Sequence, residues 1–313
     1  MNTIHLDTST PALPPCVATI GFFDGVHLGH QHLISQVRAE AQRLGLASAV
    51  VTFATHPRQV VNADYVPQLL TSLQQKLELL AQTGVDEAVV LPFDRHMASL
   101  SAHDFMQQLL KVQINAHTLI TGYDNRFGHN RAEGFADYVR YGETMGMQVL
   151  QGKALTLHDV NVSSSAVRRM LCEGRAADAA RFLGRCYTIE GRVEQGFHEG
   201  RRMGFPTANI APTLPEQLIP QSGVYAAHLQ IAQGPWLPAM INVGSCPTFG
   251  RNRSTIEAHI IGFEGDIYGS TVTAAFVGRL RDERRFDSAE ALKTQLAVDR
   301  QQALNLLAET ENK

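Results

Sequence analysis

"TIGFFDGVHLGHQHLI" (residues 19–34) decides how the first half of this chain reads. The apolar run CVATIG ends at Gly21, and Phe22, Asp24 and Gly25 follow. His27 and His30 then lie three residues apart, and helical periodicity opens at Leu33, Ile34 and Val37. This is a strand-to-helix turn with two imidazoles around a glycine. In an open α/β sheet, ligands bind beyond the carboxyl ends of the strands. A helix start adds unpaired N–H groups and a positive dipole end, which attract phosphate. Gly25 and Gly29 let backbone approach closely. Imidazole N–H groups can donate to phosphate oxygens as charge builds on them. The turn therefore suits holding the α-phosphate of ATP for in-line attack, with no covalent step. The chain has no GxxxxGK[ST] loop and no dinucleotide-binding glycine fingerprint.

The same grammar continues outward. Residues 30–44 read as a helix stopped by Gly45, with Leu33, Val37 and Leu44 on one face. ASAVVTF is the next strand. TSLQQKLELLAQTG is a helix with Thr71 and Gln74 placed as a capping box and Gly84 as its end. EAVVLPF, HTLITG and MQVLQG are further strands, with helices starting at Ser101 and near 134–145 between them. Repeated β-α-β with apolar strands predicts a parallel sheet covered on both faces. Two short helices follow, near 164–172 and 176–183.

Past Gly184 the pattern changes. CYTIEGRVEQG, GVYAAHLQIA, WLPAMINVG, STIEAHIIGF and STVTAAFVGRL are strand-like, separated by Gly, Pro and Asn clusters. That predicts a small antiparallel β-barrel. A helix over 288–308 ends the chain, with Leu292, Leu296, Ala303 and Leu307 near one face. The boundary falls near 183–186, giving domains 1–184 and 185–313.

Bulk composition sets limits. A length of 313 residues favours two domains. Lys+Arg of 27 against Asp+Glu of 30 gives a net charge of −3, which argues against a generic nucleic-acid or membrane-surface binder. The N-terminus, MNTIHLDTST, lacks the basic and apolar regions of a signal peptide, and no apolar run reaches membrane-spanning length. The four cysteines have no metal-like spacing, so reduced thiols in the cytoplasm are expected.

Two further stretches carry chemistry. In VSSSAVRRML (162–171), Ser164 and Ser165 sit at a helix start with Arg168 one turn on, an anion cradle. In GRVEQGFHEGRRMGFPTANI (191–210), Gly196, Gly200 and Gly204 belong to a loop whose amides can wrap phosphate, and Arg201 adds charge. Thr207 and Asn209 point to one side of an extended chain. As hard oxygen donors they suit Mg²⁺ beside a polyanionic nucleotide.

These stretches resemble those of bacterial bifunctional riboflavin kinase/FAD synthetases. GFFDGVHLGH is similar to the HxGH turn of that family's N-terminal module. VTFATHPRQV, LLTSLQQK, TGYDNRFGHNRAEG and VSSSAVRRML follow in family order. GFPTANI, GVYAA, INVGSCPTFG, IEAHII, DIYG and RLRDERRF resemble the riboflavin kinase module. The resemblance implies an HxGH nucleotidyltransferase domain followed by a riboflavin kinase barrel. It implies riboflavin, FMN, FAD and ATP as substrates and products. Gly21, Phe22, Asp24, Gly25, His27, His30, Ser164, Ser165 and Arg168 would then bind ATP for adenylyl transfer. Phe53, His56, Pro57 and Asp124 would line its flavin pocket. In the kinase, Gly196, Gly200, Arg201, Gly204, Thr207 and Asn209 would hold Mg-ATP. Glu257 would accept the proton of the ribityl hydroxyl, and Arg281 would face the flavin. The alternatives are another adenylyltransferase with the same turn, or a flavin-binding module with one half inactive.

Overall fold

The computed structural model describes all residues except 8, 63, 124, 130, 158, 196–204, 249–250 and 312–313. The chain forms two compact units, Met1–Ser164 and Ser165–Lys313.

The first unit is built on strands β1 (Asn2–His5), β2 (Cys16–Ile20), β3 (Ala47–Phe53), β4 (Glu87–Leu91), β5 (Ala116–Thr121) and β6 (Gln148–Gln151). Their order is β1-β4-β3-β2-β5-β6, and every pair is parallel. β2 is buried along its whole length, as a strand with helices on both faces must be. Reading apolar runs gives five of these strands. β1 is the addition: its sequence, NTIH, has no apolar run, yet it pairs with the edge of β4. A small antiparallel pair, β7 (Thr156–Leu157) and β8 (Val160–Asn161), follows the sheet.

Helix Leu28–Leu44 ends at Gly45, which adopts the left-handed conformation. Helix Leu73–Gln82 starts one residue later than the capping pattern suggests. Ser72, not Thr71, is the cap, and its box partner is Gln75 rather than Gln74. Thr71 is occupied elsewhere: its hydroxyl accepts from the Gly25 N–H at 3.1 Å. Met106–Gln113 winds as a π-helix, which no local sequence pattern announced.

The second unit contains helices Ser165 onward within Ser164–Cys172 and Ala176–Leu183, then a closed antiparallel barrel. Its strands are β9 (Tyr187–Glu194), β10 (Ala208–Pro212), β11 (Gly223–Ile231), β12 (Trp236–Thr248), β13 (Arg251–Ile260) and β14 (Thr271–Arg281). They close in the order β10-β13-β12-β11-β14-β9, with β10 pairing back to β9. β10 is the strand hidden behind the glycine-rich loop in the sequence. Helix Ala289–Glu311 lies across the outside of the barrel. Ala303 and Leu307 from the helix pack there with Ala226, Met240 and Val277. Among the described residues, no helix is long and apolar enough to cross a membrane.

Candidate active sites

The histidine turn sits at the carboxyl end of β2. Its backbone is tightly wound: Phe23, Gly25 and Val26 have φ of 54°, 79° and 37°. Left-handed values at non-glycine residues persist only where the surroundings over-determine them. Here the surroundings are buried polar bonds from distant segments. Asp24 is 3% exposed. Its carboxylate accepts from the Leu70 N–H at 2.9 Å and the Thr71 N–H at 3.1 Å. Ser164 Oγ donates to the Asp24 carbonyl at 2.9 Å. Asp24 and Ser164, both expected to face ATP, thus spend these groups on holding the turn in shape.

His27 caps helix Leu28–Leu44, and its Nδ1 accepts from the His30 N–H at 3.2 Å. With Nδ1 accepting, Nε2 is the ring nitrogen that can donate. The His30 ring stacks on the His27 ring at 3.6 Å between centroids. The two imidazoles therefore act as one aligned pair. Gly29 has a steric reason of its own: a Cβ there would lie 2.6 Å from the Val162 carbonyl. Only glycine lets the segment leading to Ser164 come this close. Ser165 and Arg168 follow Ser164 on the same helix.

Across β3, His56 caps the short helix Pro57–Val61, and its Nδ1 accepts from the Arg58 N–H. The His56 ring meets Phe22 edge-on at 4.6 Å and tilts against Tyr65 at 5.4 Å. Phe53 is only 8% exposed, and its ring packs against Phe93 inside the core. Its carbonyl is what faces the turn, where it accepts from Lys76 Nζ at 2.9 Å. Asn125 donates to the Ile20 carbonyl at 2.6 Å. Asp124 lies outside the described residues.

The barrel assembles its site by register. Asn209 lies opposite Glu257, Glu257 opposite Asn242, Asn242 opposite Val224, and Val224 opposite Arg281. Residues directly opposite share a face of the sheet. The row runs across five strands on the outer face of the barrel, toward the C-terminal helix. A cavity of about 300 Å³ opens on it, lined by Glu257, Asn242, Arg281, Thr207 and His259, with Phe205, Phe286, Met240, Leu292 and Leu296 as apolar walls. A second cavity of about 530 Å³ is lined by Pro206, Ala258, Ile260, Phe263 and Tyr268. Thr207 lines both cavities.

Arg281 reaches this cavity with its guanidinium already engaged. It donates to Asp299 at 3.0, 2.9 and 2.8 Å, and Asp299 is fully buried on the C-terminal helix. The bidentate pair ties the helix to β14. His259, not singled out from the sequence, donates from Nδ1 to the Pro206 carbonyl at 2.9 Å and so fixes the peptide before Thr207. Burial pushes the His259 imidazole below its usual pKa. Asn242 was also missed, although its INVG stretch stood out. Gly196, Gly200, Arg201 and Gly204 lie outside the described residues. Among the described residues, no group of three or more His, Cys, Asp or Glu side chains could hold a metal ion.

The FAD synthetase family model matches residues 9–166, and the riboflavin kinase model matches residues 183–307. The bifunctional riboflavin kinase/FMN adenylyltransferase of Escherichia coli K12 is 36% identical over 91% of this chain and 90% of its own length. The Bacillus subtilis protein of the same name is 34% identical over 97% and 98% of the two chains. A solved structure described as a macrolide-efflux protein from Streptococcus pneumoniae shares the fold over 97% of this chain and 99% of its own, with a TM-score of 0.88 and 29% identity. The chain belongs to the bifunctional riboflavin kinase/FMN adenylyltransferase family.

Proposed function

We propose that each unit carries one step of flavin-cofactor synthesis, with the sites described above. The barrel phosphorylates riboflavin with ATP to give FMN. The α/β unit then transfers AMP from ATP to FMN, giving FAD and pyrophosphate. The observation that carries the kinase reading is Thr207 lining two cavities at once. The larger cavity, with Phe263 and Tyr268, suits a nucleotide. The smaller, with Phe205 and Phe286, suits a flavin ring beside Glu257.

In the kinase step the Glu257 carboxylate takes the proton of the ribityl hydroxyl. The new O–P bond forms to the γ-phosphorus as the bond to ADP breaks. Thr207 and Asn209 stand two residues apart at the start of β10 and offer a hydroxyl and an amide oxygen, hard donors that fit Mg²⁺. When bound there, Mg²⁺ neutralises charge on the transferring phosphate. Pro206 and His259 hold the Thr207 peptide in place.

In the adenylyl step the FMN phosphate attacks the α-phosphorus and pyrophosphate leaves. No proton transfer is required. His27 Nε2–H, its stacked partner His30 and the helix N-terminus stabilise the charge that builds on the α-phosphate. His56 and Pro57 form the flavin side, where the His56 ring meets Phe22 of the ATP-side turn. A cytoplasmic setting is part of the same proposal, supported by free thiols at Cys16, Cys172 and Cys186.

Separability tests the scheme. Glu257→Gln lowers riboflavin-to-FMN conversion by roughly 10²–10³-fold and spares FMN-to-FAD conversion. His27→Ala with His30→Ala does the reverse, by about 10²–10³-fold. Chromatography of FMN and FAD made by each variant reads both steps. Loss of both activities in a folded single-site variant would sink the two-site scheme.

A further inference from the structure

LLTSLQQK (69–76) stands out in the sequence for its match at the helix start, yet its last residue has no part in either step above. Lys76 is 3% exposed. Its Nζ donates to the Phe22 carbonyl at 3.1 Å and to the Phe53 carbonyl at 2.9 Å, and it sits 4.3 Å from the centroid of the Phe22 ring. Those two carbonyls mark where two strands part. β2 and β3 pair in register as far as Ile20 and Val51, and the Gly21 N–H still bonds the Val51 carbonyl. Beyond that point β2 leads into the histidine turn and β3 into the turn capped by His56.

We propose that Lys76 is a positioning residue for adenylyl transfer: by bridging the Phe22 and Phe53 carbonyls, it fixes the separation between the phosphate-holding turn and the flavin-side turn. This rests on the reading of the histidine turn given above.

The chemistry favours a functional reason for the residue. Burying an ammonium carries a desolvation cost, and even a buried ion pair can often be replaced by well-packed apolar residues without loss of stability. A buried lysine in the field of Asp24 is thus weak evidence of a purely stabilising role. Thr52 Oγ1 also donates to the Phe22 carbonyl, at 3.1 Å, so that group keeps a partner without Lys76. Lys76 supplies a hydrogen-bonded bridge between the two turns, beside the ring contact of Phe22 with His56, and a positive charge near them. Burial lowers its pKa to about 8, against the opposing pull of Asp24. Asp24 is the charged group whose field reaches it, and the His56 ring meets the Phe22 ring on which the ammonium rests.

The test uses the full chain with Lys76→Met and Lys76→Gln. FMN-to-FAD conversion, riboflavin-to-FMN conversion and thermal unfolding are measured on the same preparations. The kcat for FAD formation is expected to fall 10–100-fold in both variants, the scale of a 1 Å misplacement, while FMN formation and the melting profile stay unchanged. In the wild type, kcat/KM for FAD formation declines as pH rises through about 8, because the ammonium loses its proton there. The residual activity of the variants lacks that alkaline decline. Wild-type kcat in either variant, or an alkaline decline kept in Lys76→Gln, overturns the proposal. If Lys76→Met does not fold, Lys76→Gln decides alone through its pH profile. Failure of the underlying reading shows separately, as a wild-type protein that makes FMN but no FAD.

Discussion

The histidine turn and the barrel row arrive at a phosphate-handling site by opposite routes. The turn compresses its chemistry into ten consecutive residues and then needs outside help to keep them in shape. Asp24 reaches Leu70 and Thr71, Ser164 reaches back to Asp24, and Lys76 joins Phe22 to Phe53. The barrel row instead takes single residues from separate strands, and strand pairing aligns them, with a register shift just after the Val224–Arg281 pair. A compact motif on a strained loop depends on distant buried clamps, whereas a site built by register depends on its individual side chains. Changes at Asp24 and Gly29 should therefore cost stability and activity together, and changes at Lys76 activity alone. Changes along the barrel row, Arg281 with its buried partner Asp299 apart, should cost activity alone.

Asp24→Ala is the most severe challenge to that contrast. It leaves the buried N–H groups of Leu70 and Thr71 without their acceptor and takes away the negative charge near Lys76. A loss of roughly 3–5 kcal/mol from the first unit is expected, with FAD formation reduced beyond 10²-fold and FMN formation kept. Chemical denaturation, read beside the two activities, checks it. A stable variant with wild-type FAD synthesis would mean that the turn holds itself. Gly29→Ala comes next. Its methyl group would meet the Val162 carbonyl at 2.6 Å, so about 1–3 kcal/mol of overpacking is expected. Displacing the two segments should slow FAD formation about 100-fold.

Asn242→Ala probes the other side of the comparison. Asn242 lies opposite Glu257 and lines the same cavity. Its loss should lower FMN formation about tenfold while shifting stability by less than about 1 kcal/mol. A large drop in melting temperature would show that the row, too, is part of the scaffold.

The same contrast explains what the sequence makes legible. The parallel sheet, the barrel and the histidine turn all leave local signatures: apolar runs, glycine stops and a contiguous motif. β1 does not, because its four residues owe their strand to the edge of β4 rather than to their own pattern. The cap of helix Leu73–Gln82 slips from Thr71 to Ser72 because Thr71 is drawn to Gly25, a contact across 46 positions that no local rule contains. Phe53 reads as a flavin neighbour by its motif, but its ring packs in the core and its carbonyl carries the contact. Asn242 and His259 are visible only as letters in strands until register sets them beside Glu257 and Pro206. Resemblance finds the motifs; it does not say which of their side chains face a ligand and which hold the backbone.

His259 offers the smallest and most discriminating effect. Its Nδ1–H holds the Pro206 carbonyl, and burial lowers its pKa below the usual histidine value. The unfolded chain therefore takes up a proton near pH 6.5 while the folded barrel does not. Stability is complete above that pH and declines as pH falls through it, since the unfolded state binds more protons there. His259→Asn keeps a donor toward Pro206 and removes the titration. The melting temperature of the second unit should thus fall less between pH 7 and pH 5.5 in the variant than in the wild type, with FMN formation at pH 7.5 changed by no more than a few-fold. A parallel acid response in the two proteins would show that His259 does not titrate across folding. A collapse of FMN formation in His259→Asn would show that the imidazole does more than hold the peptide before Thr207, and the barrel site would then depend on a clamp much as the histidine turn does.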